Sequence, residues 1–203
     1  MPDDPATRRR RAVVAGHRRD EPAARTALAD PEAPVRAAGL SALARMDRLG
    51  IDDLRGGLDD PDRGVRRRAA ELGGRMAGGR ERRALRPMLR RALSDPDALV
   101  VDAACFALGE LGGSSAVDEL SAVVTGHPDP RCREAAVAAL GSIGEDRGLA
   151  AVLAGLDDSP AVRRRAAVAL AAFSGPEVDA ALRRCREDRD WQVRQVAEIL
   201  LDG

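Results

Sequence analysis

Residues 157–170 read DDSPAVRRRAAVAL: an acidic turn, then Val162 and Arg163, then alanine and leucine at helical spacing. Five further segments follow the same order: DPEAPVRAAGLSAL (30–43), DPDRGVRRRAAELG (60–73), DPDALVVDAACFAL (95–108), HPDPRCREAAVAAL (127–140) and DRDWQVRQVAEILL (188–201). The position of Val162, here called the anchor, recurs at intervals of 30, 35, 32, 30 and 31 residues, at Val35, Val65, Val100, Cys132, Val162 and Val193. Such a narrow period indicates a stack of repeated supersecondary units.

Each repeat is predicted to be a pair of helices. Apolar residues at helical spacing precede each anchor segment, at 21–29, 49–58, 80–93, 115–125, 147–156 and 176–187. The acidic residue that opens each segment, as in Asp60-Pro61, is the predicted N-cap of the second helix, because proline suits a first helical turn. The predicted fold is all-α: an α-solenoid of about six two-helix repeats. It comprises an N-terminal basic capping helix (1–20) and repeats at approximately 21–46, 49–77, 80–111, 115–143, 147–173 and 176–201, within 21–203.

Composition is consistent with a soluble protein without a preferred class of ligand. The chain has 33 basic and 33 acidic residues and a formal net charge of 0. No segment has the roughly 18 consecutive apolar residues of a membrane span, and the N-terminus lacks a secretory apolar core. The three cysteines, Cys105, Cys132 and Cys185, form neither a disulfide pattern nor a zinc pattern. These features predict a cytoplasmic location without membrane association.

The anchor segments resemble HEAT repeats, above all the short bacterial variety named after phycobilisome lyases, whose second helix reads much like Val-Arg-x-Ala-Ala-x-x-Ala-Leu-Gly. The resemblance covers nearly all of 21–203. It implies a right-handed superhelix with the second helices on the concave side and a role in protein–protein contact. The chain departs from long HEAT repeats in its shorter period. It also has Val101 in the third repeat, where the other five repeats have arginine.

The helical wheel divides each second helix into a buried stripe and an exposed row. Positions +4, +7 and +8 from the anchor lie near it and should be buried, whereas +2, +5, +6 and +9 should line the concave face. Position +6 turns apolar after the second repeat, and position +2 gives it a charged border. This pattern predicts a groove for a helix or peptide of a partner protein, formed by Phe106, Ala138, Val168, Ile199, Asp102, Glu134, Arg164 and Gln195. The alternative is that the +6 residues pack against the neighbouring repeat.

Two sets of arginines are candidates for binding anions. The first follows the anchors: Arg36, Arg66, Arg133, Arg163 and Arg194. The family resemblance implies instead that these arginines form a structural ladder with the turn aspartates Asp30, Asp60, Asp95, Asp158 and Asp188. The second set, Arg82, Arg86 and Arg90, shares one face of a helix and could follow phosphates, or it could be a solvated outer face. Binding of nucleic acid without catalysis is therefore the alternative function.

No catalytic residue, metal ligand or cofactor is predicted. HEAT-type metalloenzymes such as deoxyhypusine hydroxylase use paired His-Glu motifs, but this chain has only His17 and His127, followed by Arg18 and Pro128. No motif besides the repeat itself supports chromophore lyase activity. The sequence therefore predicts a non-enzymatic protein-interaction scaffold or adaptor.

The last helix is predicted to have an apolar flank, formed by Val196 and Ile199. A solenoid needs a polar surface at its ends. This flank therefore predicts a contact with a partner or with a second copy in an end-to-end homodimer.

Overall fold

The computed structural model describes residues 4–76 and 79–202, and in those residues it contains thirteen α-helices and no strand. The helices are α1 Pro5–Arg18, α2 Glu21–Leu28, α3 Ala33–Arg45, α4 Ile51–Leu58, α5 Arg63–Gly73, α6 Gly79–Ala92, α7 Ala98–Leu111, α8 Val117–Gly126, α9 Pro130–Ile143, α10 Leu149–Gly155, α11 Pro160–Ala169, α12 Pro176–Cys185 and α13 Trp191–Asp202. No helix among the described residues has the length and apolar character needed to cross a membrane. Residue 77, the predicted end of the second repeat, and residues 1–3 of the predicted capping helix lie outside the described residues.

The all-α repeat fold is confirmed: α2 to α13 alternate along the chain between first helices (even numbers) and second helices (odd numbers). The helices form two compact units, which divide between Ala107 and Leu108. In the first unit, the second helices α3 and α5 pack on each other, and the first helix α4 packs on α6. In the second unit, α11 packs on both α9 and α13, and α10 packs on α8. Within each unit, therefore, helices of the same kind lie side by side, as in stacked hairpins.

Two acidic residues shape the turn before a second helix, and they have different roles. The Asp60 carboxylate accepts a hydrogen bond from the N–H of Asp62 (2.8 Å), whereas Asp62 accepts one from the N–H of Gly64 (2.8 Å) and is the N-cap of α5. The predicted N-cap, Asp60, is wrong because the turn through Pro61 is completed before the helix begins. Asp97 receives the N–H of Leu99 (3.0 Å) in the same way.

The buried surface of the second helices is wider than the sequence indicated. All six anchors are at most 2% exposed, as predicted. Position +5, predicted to lie on the concave face, is at most 1% exposed in Leu40, Ala70, Cys105, Val137 and Ala167. The prediction for +5 is wrong because a second helix contacts a first helix of the next repeat as well as its own. For example, the side chain of Val137 lies within 3.2 Å of a Cβ built on Gly155 of α10.

Glycine at position +9 allows adjacent second helices to approach closely. A Cβ built on Gly109 would lie 3.0 Å from Cα of Ala139, and one on Gly141 would lie 3.0 Å from Cα of Ala169. In the first unit, Gly74 meets Ala107 in the same way. At position +9, therefore, the backbones of adjacent second helices come into contact. The prediction of an exposed position on the concave face did not include this contact.

Helix α1 makes the contacts of a second helix. A Cβ on Gly16 would lie 2.9 Å from Cα of Ala42, as at the other +9 glycines. Arg8 Nε donates to the Asp30 carboxylate at 2.7 Å, as the arginines after the anchors do. These contacts place Thr7 at the anchor position, which sequence reasoning did not identify.

Candidate protein-binding surface

The exposed side of each second helix is formed by positions +2, +6 and +10 from the anchor, and we call it the second-helix face. In the repeat of α11 these positions are Arg164 and Val168 on the helix and Ala172 in the 3-10 turn that follows it, all of which are exposed. Positions +4, +5, +7 and +8 of the same helix are buried. The second-helix face is therefore a narrow strip that extends about one row of side chains to each side of position +6.

The arginine that follows an anchor is used inside the fold. Arg36 donates from Nε and Nη2 to the two carboxylate oxygens of Asp60, each at 2.7 Å, and from Nη1 to the carbonyl oxygens of Asp30 (3.0 Å) and Pro31 (2.9 Å). The same bidentate pairing joins Arg66 to Asp95, Arg133 to Asp158 and Arg163 to Asp188. In Arg194, Nη1 donates to the Asp188 carbonyl oxygen (2.7 Å). These contacts are the ladder implied by the resemblance, so the paired guanidinium groups are not an open row for acidic ligands.

One link of this ladder, between the repeat of α7 and the repeat of α9, lacks both partners. Val101 takes the arginine position in α7 and is fully buried. His127 takes the position of the first turn aspartate before α9, and its Nδ1 accepts the N–H of Asp129 (3.1 Å) as the carboxylates do in the other turns. His127 therefore has a structural role in its turn.

The ladder makes stability dependent on pH. The Arg133 guanidinium holds the pKa of the Asp158 carboxyl below its ordinary value of 3.8, although burial acts to raise it. Because the unfolded chain has the ordinary pKa, it binds protons first, so this contribution to the free energy of unfolding is complete above about pH 5 and is lost as pH falls through the lowered pKa. In the unfolded chain, the carboxyl titrates between about pH 5 and about pH 3. Over this range we expect the urea midpoint of the unmodified chain to fall more steeply than the urea midpoint of Arg133→Ala. Parallel pH profiles of the two proteins would contradict this.

In the second unit, the predicted row at position +6 is exposed where its side chains are large. Val168 is 49% exposed on α11, Ile199 is 64% exposed on α13, and Ala138 on α9 is half-buried. For Val168 and Ile199, the alternative of packing against a neighbouring repeat is therefore wrong. These three residues lie at the same position on three helices, of which α9 packs on α11 and α11 packs on α13.

The charged border at position +2 is also present in this unit. Arg164 Nε donates to Asp190 (2.9 Å), and Glu134 accepts from Arg165 Nη2 (3.4 Å). Gln195 is exposed on α13. Arg164 and Glu134 thus flank the apolar row and form ion pairs that link adjacent repeats.

A shallow cleft of about 390 Å³ lies between the C-terminal halves of α9 and α11. Its apolar lining includes Ala138, Val168, Ala169 and Ala172, and Arg165 and Ser142 lie at its polar side. Small side chains leave room at this place for a side chain of a bound peptide. The cleft adjoins the apolar row of the second-helix face.

Sequence reasoning did not assign a role to Trp191. It is the first residue of α13, it is 61% exposed, and it lines a second cleft of about 390 Å³ together with Arg164 and Gln192. Its place two residues before the anchor puts it about 160° from Val193 on the helical wheel, which was the available signal. Exposed tryptophan beside arginine is the composition of interface hot spots.

Phe106 and Asp102 belong to the first unit. Phe106, at position +6 of α7, is 57% exposed, and Asp102, at position +2, is half-buried. The predicted groove that joins these two residues to those of the second unit stays a prediction.

The predicted polyanion face of α6 lies beside buried leucines. Arg82, Arg86 and Arg90 are all half-buried, on the side of the helix where Leu85 and Leu89 are fully buried. Arg82 Nε donates to the Met76 carbonyl oxygen at 2.7 Å. The three arginines do share one face, and their binding of polyanions stays a prediction.

Ile199 of α13 lies on the second-helix face, whereas Val193 and Ala197 of the same helix are buried. Position +5, which other second helices bury, is the exposed Glu198, and position +9 is the exposed Asp202. Ile199 instead continues the row of Val168, and Val196 is half-buried beside it. The positions of α13 that correspond to repeat contacts are therefore charged, and its apolar surface faces in the same direction as the candidate groove.

The candidate metal and catalytic side chains are not clustered. Across residues 4–76 and 79–202, no group of three or more His, Cys, Asp or Glu residues is placed to hold a metal ion. His17 is exposed on α1, and His127 is occupied in its turn. The three cysteines are buried, and burial raises the pKa of the Cys185 thiol.

A family model for HEAT repeats matches residues 51–125, 85–161 and 117–202. No curated protein matches the chain. Human deoxyhypusine hydroxylase in complex with glycerol is similar in structure, with 25% identity and a TM-score of 0.53 over 99% of this chain and 80% of that one.

Two further solved structures show the same fold. The complex of CpcE and CpcF of phycocyanin lyase from Nostoc sp. PCC7120 has 22% identity and a TM-score of 0.65, over 89% of this chain and 75% of that chain. A designed armadillo repeat protein in complex with the peptide (KR)4 has 18% identity and a TM-score of 0.63, over 90% and 98% of the respective chains.

Proposed function

Because the chain belongs to the HEAT-repeat family, we propose that it is a non-enzymatic scaffold that binds a helix or extended peptide of a partner protein on its second-helix face. The repeat fold is typical of protein-interaction scaffolds. The designed armadillo protein of the same fold was solved with a bound peptide, and CpcE and CpcF were solved as a complex with each other. These likenesses support a protein or peptide as the class of partner.

The distribution of exposed apolar side chains is the observation that carries this proposal. Within the described residues, seven large apolar side chains are exposed, and every one lies on α1 or a second helix: Val13, Val14, Leu99, Phe106, Val168, Trp191 and Ile199. The first helices have none among them. Exposed apolar residues that collect on one set of helices in a repeat protein indicate an interaction surface. In the second unit, Val168, Ile199 and Trp191 would supply the apolar anchors, and Arg164, Glu134 and Gln195 would supply the polar rim.

The proposal of a non-enzymatic role is supported by what the polar residues do. The turn aspartates pair with the ladder arginines, and His127 completes a turn. The His-Glu pairs that the resemblance to deoxyhypusine hydroxylase would require are missing from the sequence, since arginine and proline follow the two histidines. A cytoplasmic location remains part of the proposal, supported by three buried cysteines without a disulfide pattern. Nucleic-acid binding through α6 stays a prediction of the sequence.

We expect Val168→Asp to weaken peptide binding by about 2 kcal/mol, because it places a carboxylate at the centre of the apolar row. Peptides would first be selected from a displayed random library on the full chain, and their affinities then measured by fluorescence anisotropy. The control is Ala154→Asp, which adds the same charge at an exposed position on α10 of the same unit. Both variants should retain the stability of the unmodified chain, since both positions are exposed.

Equal peptide affinities of Val168→Asp and Ala154→Asp would contradict the proposal, as would a library that yields no binding peptide. Light scattering of the unmodified chain at micromolar concentration tests whether a second copy occupies the surface instead. If the end-to-end homodimer predicted from Val196 and Ile199 forms, the measured mass will exceed that of the monomer. If the dimer contact uses only α13, Val168→Asp will have the same mass as the unmodified chain.

A further inference from the structure

The second-helix face of the first unit is basic at position +10. This position is His17 on α1, Arg45 at the end of α3 and Arg75 directly after α5, and all three residues are exposed. Helix α1 packs on α3, and α3 packs on α5. The corresponding described residues of the second unit are Glu110, Ser142 and Ala172, so the basic row is specific to the first unit.

Arg45 and Arg75 line a common cleft of about 460 Å³. Arg68 forms part of its wall, where Nε donates to Ser41 Oγ (2.8 Å) and Nη1 pairs with Glu71 (3.0 Å). The cleft also has apolar lining from Leu49, Leu72 and Met76. It therefore offers both cationic groups and apolar contact, and its size falls within the range of ligand sites.

Of the three arginines that line this cleft, Arg45 and Arg75 differ from Arg68 in their contacts. Within residues 4–76 and 79–202, neither Arg45 nor Arg75 forms a hydrogen bond or an ion pair through its guanidinium group. Four of the arginines after the anchors, Arg36, Arg66, Arg133 and Arg163, by contrast each bind a carboxylate with two donors. A planar guanidinium group that lacks a carboxylate partner and borders a cleft is suited to bind one from a ligand.

We propose that this cleft binds an acidic segment of a partner protein, with side-chain carboxylates on Arg45 and Arg75. Adjacent packed helices lie about 8–10 Å apart, so equivalent positions on α3 and α5 repeat at about that distance. A peptide in the polyproline II conformation rises about 3.1 Å per residue with about three residues per turn, so side chains three residues apart point the same way and match this spacing. The ligand is therefore a segment with Asp or Glu at every third position, and a further carboxylate would reach His17. All of these residues lie in the first unit, so the proposal is independent of the apolar row of the second.

Charge and composition favour a peptide over a nucleic acid. Asp47 and Glu81 also line the cleft, and Glu71 lies between Arg67 and Arg68. These carboxylates would repel the continuous charge of a phosphate backbone, but a peptide can place neutral residues opposite them. Single-stranded nucleic acids also rely on aromatic side chains for stacking, and the sequence has none before Phe106.

The test uses the full chain and a fluorescein-labelled peptide with Glu at every third position, separated by Gly and Ala. Its partner probe has Gln in place of each Glu, and a labelled single-stranded oligonucleotide is the third probe. The binding variant is Arg45→Glu with Arg75→Glu. The matched control is Arg83→Glu with Arg183→Glu, which changes the net charge equally at exposed positions outside the cleft.

We expect the Glu peptide to bind the unmodified chain and the control at least about tenfold more tightly than the cleft variant, and the Gln peptide not to bind. Equal binding of the Glu peptide to both variants would overturn the proposal, as would failure of the Glu peptide to bind. Binding of the oligonucleotide that is lost only in the cleft variant would replace the acidic peptide with a nucleic acid. Failure of this site would leave the result of Val168→Asp unaffected, because that experiment uses a different unit and different peptides.

Discussion

Arg36→Ala is expected to lower the free energy of unfolding by about 3 kcal/mol, as judged by urea-induced loss of the helical circular dichroism signal. Arg36 is largely buried, with 16% of its side chain exposed, and Asp60 is 9% exposed. Removing the guanidinium group leaves the Asp60 carboxylate with a backbone N–H of Asp62 but without its two donors from arginine. It also frees the carbonyl oxygens of Asp30 and Pro31, which the same side chain satisfies.

The control for this prediction is Arg45→Ala, on the same helix but exposed and outside the ladder. Its effect should be below about 1 kcal/mol, the contribution of a cation near a helix C-terminus. The double variant Arg36→Ala with Asp60→Ala should lose less than the sum of the two single variants, because the second substitution removes the carboxylate left unpaired by the first. Equal urea midpoints for Arg36→Ala and Arg45→Ala would show that the ladder does not contribute to stability.

The helix pairs could be predicted from the sequence because their signals are local. The anchor valines and the periodic alanines specify a helix and its buried side wherever they occur, so the order and approximate bounds of α2 to α13 followed from the pattern. The exposed row at position +6 was predictable for the same reason. Val168 and Ile199 lie opposite the buried stripe, and no feature of the neighbouring repeats covers them.

The width of the buried surface depends on neighbours, which a helical wheel does not include. Leu40 and Val137, at position +5, appear to be on an exposed side when one helix is considered alone, but the next repeat covers them. A signal was present in the sequence: position +9 is glycine in Gly74, Gly109 and Gly141, and glycine in a helix interior is costly unless a backbone approaches closely. Position +9 should therefore have been assigned to a repeat contact.

The anchor position of α1 was missed because its apolar pattern is weak. Thr7 replaces the usual valine, and Arg8 is one of four consecutive arginines that suggest a charged surface. Asp4-Pro5 and Gly16 nevertheless have the spacing of an acidic turn and a +9 glycine around Thr7. The site residues are harder to predict in principle, because the unpaired state of Arg45 and Arg75 depends on which carboxylates lie within reach in the folded chain.

Gly141→Val is expected to lower the free energy of unfolding by about 3 kcal/mol, because a side chain cannot fit between α9 and α11. A Cβ at Gly141 would lie 2.8 Å from the Cβ and 3.0 Å from the Cα of Ala169, and a backbone atom cannot move away as the end of a flexible side chain can.

Gly56→Val on α4 is the matched control, since no atom lies within 4 Å of a Cβ built there. It should be neutral or stabilising by a few tenths of a kcal/mol, roughly the gain in helix propensity over glycine. Urea unfolding of both variants separates the cost of a side chain between the closely packed helices α9 and α11 from the intrinsic helix propensity of valine relative to glycine. If Gly141→Val is as stable as Gly56→Val, then α9 and α11 can separate without cost, and the cleft formed by Ala138 and Val168 between them would not be a rigid binding surface.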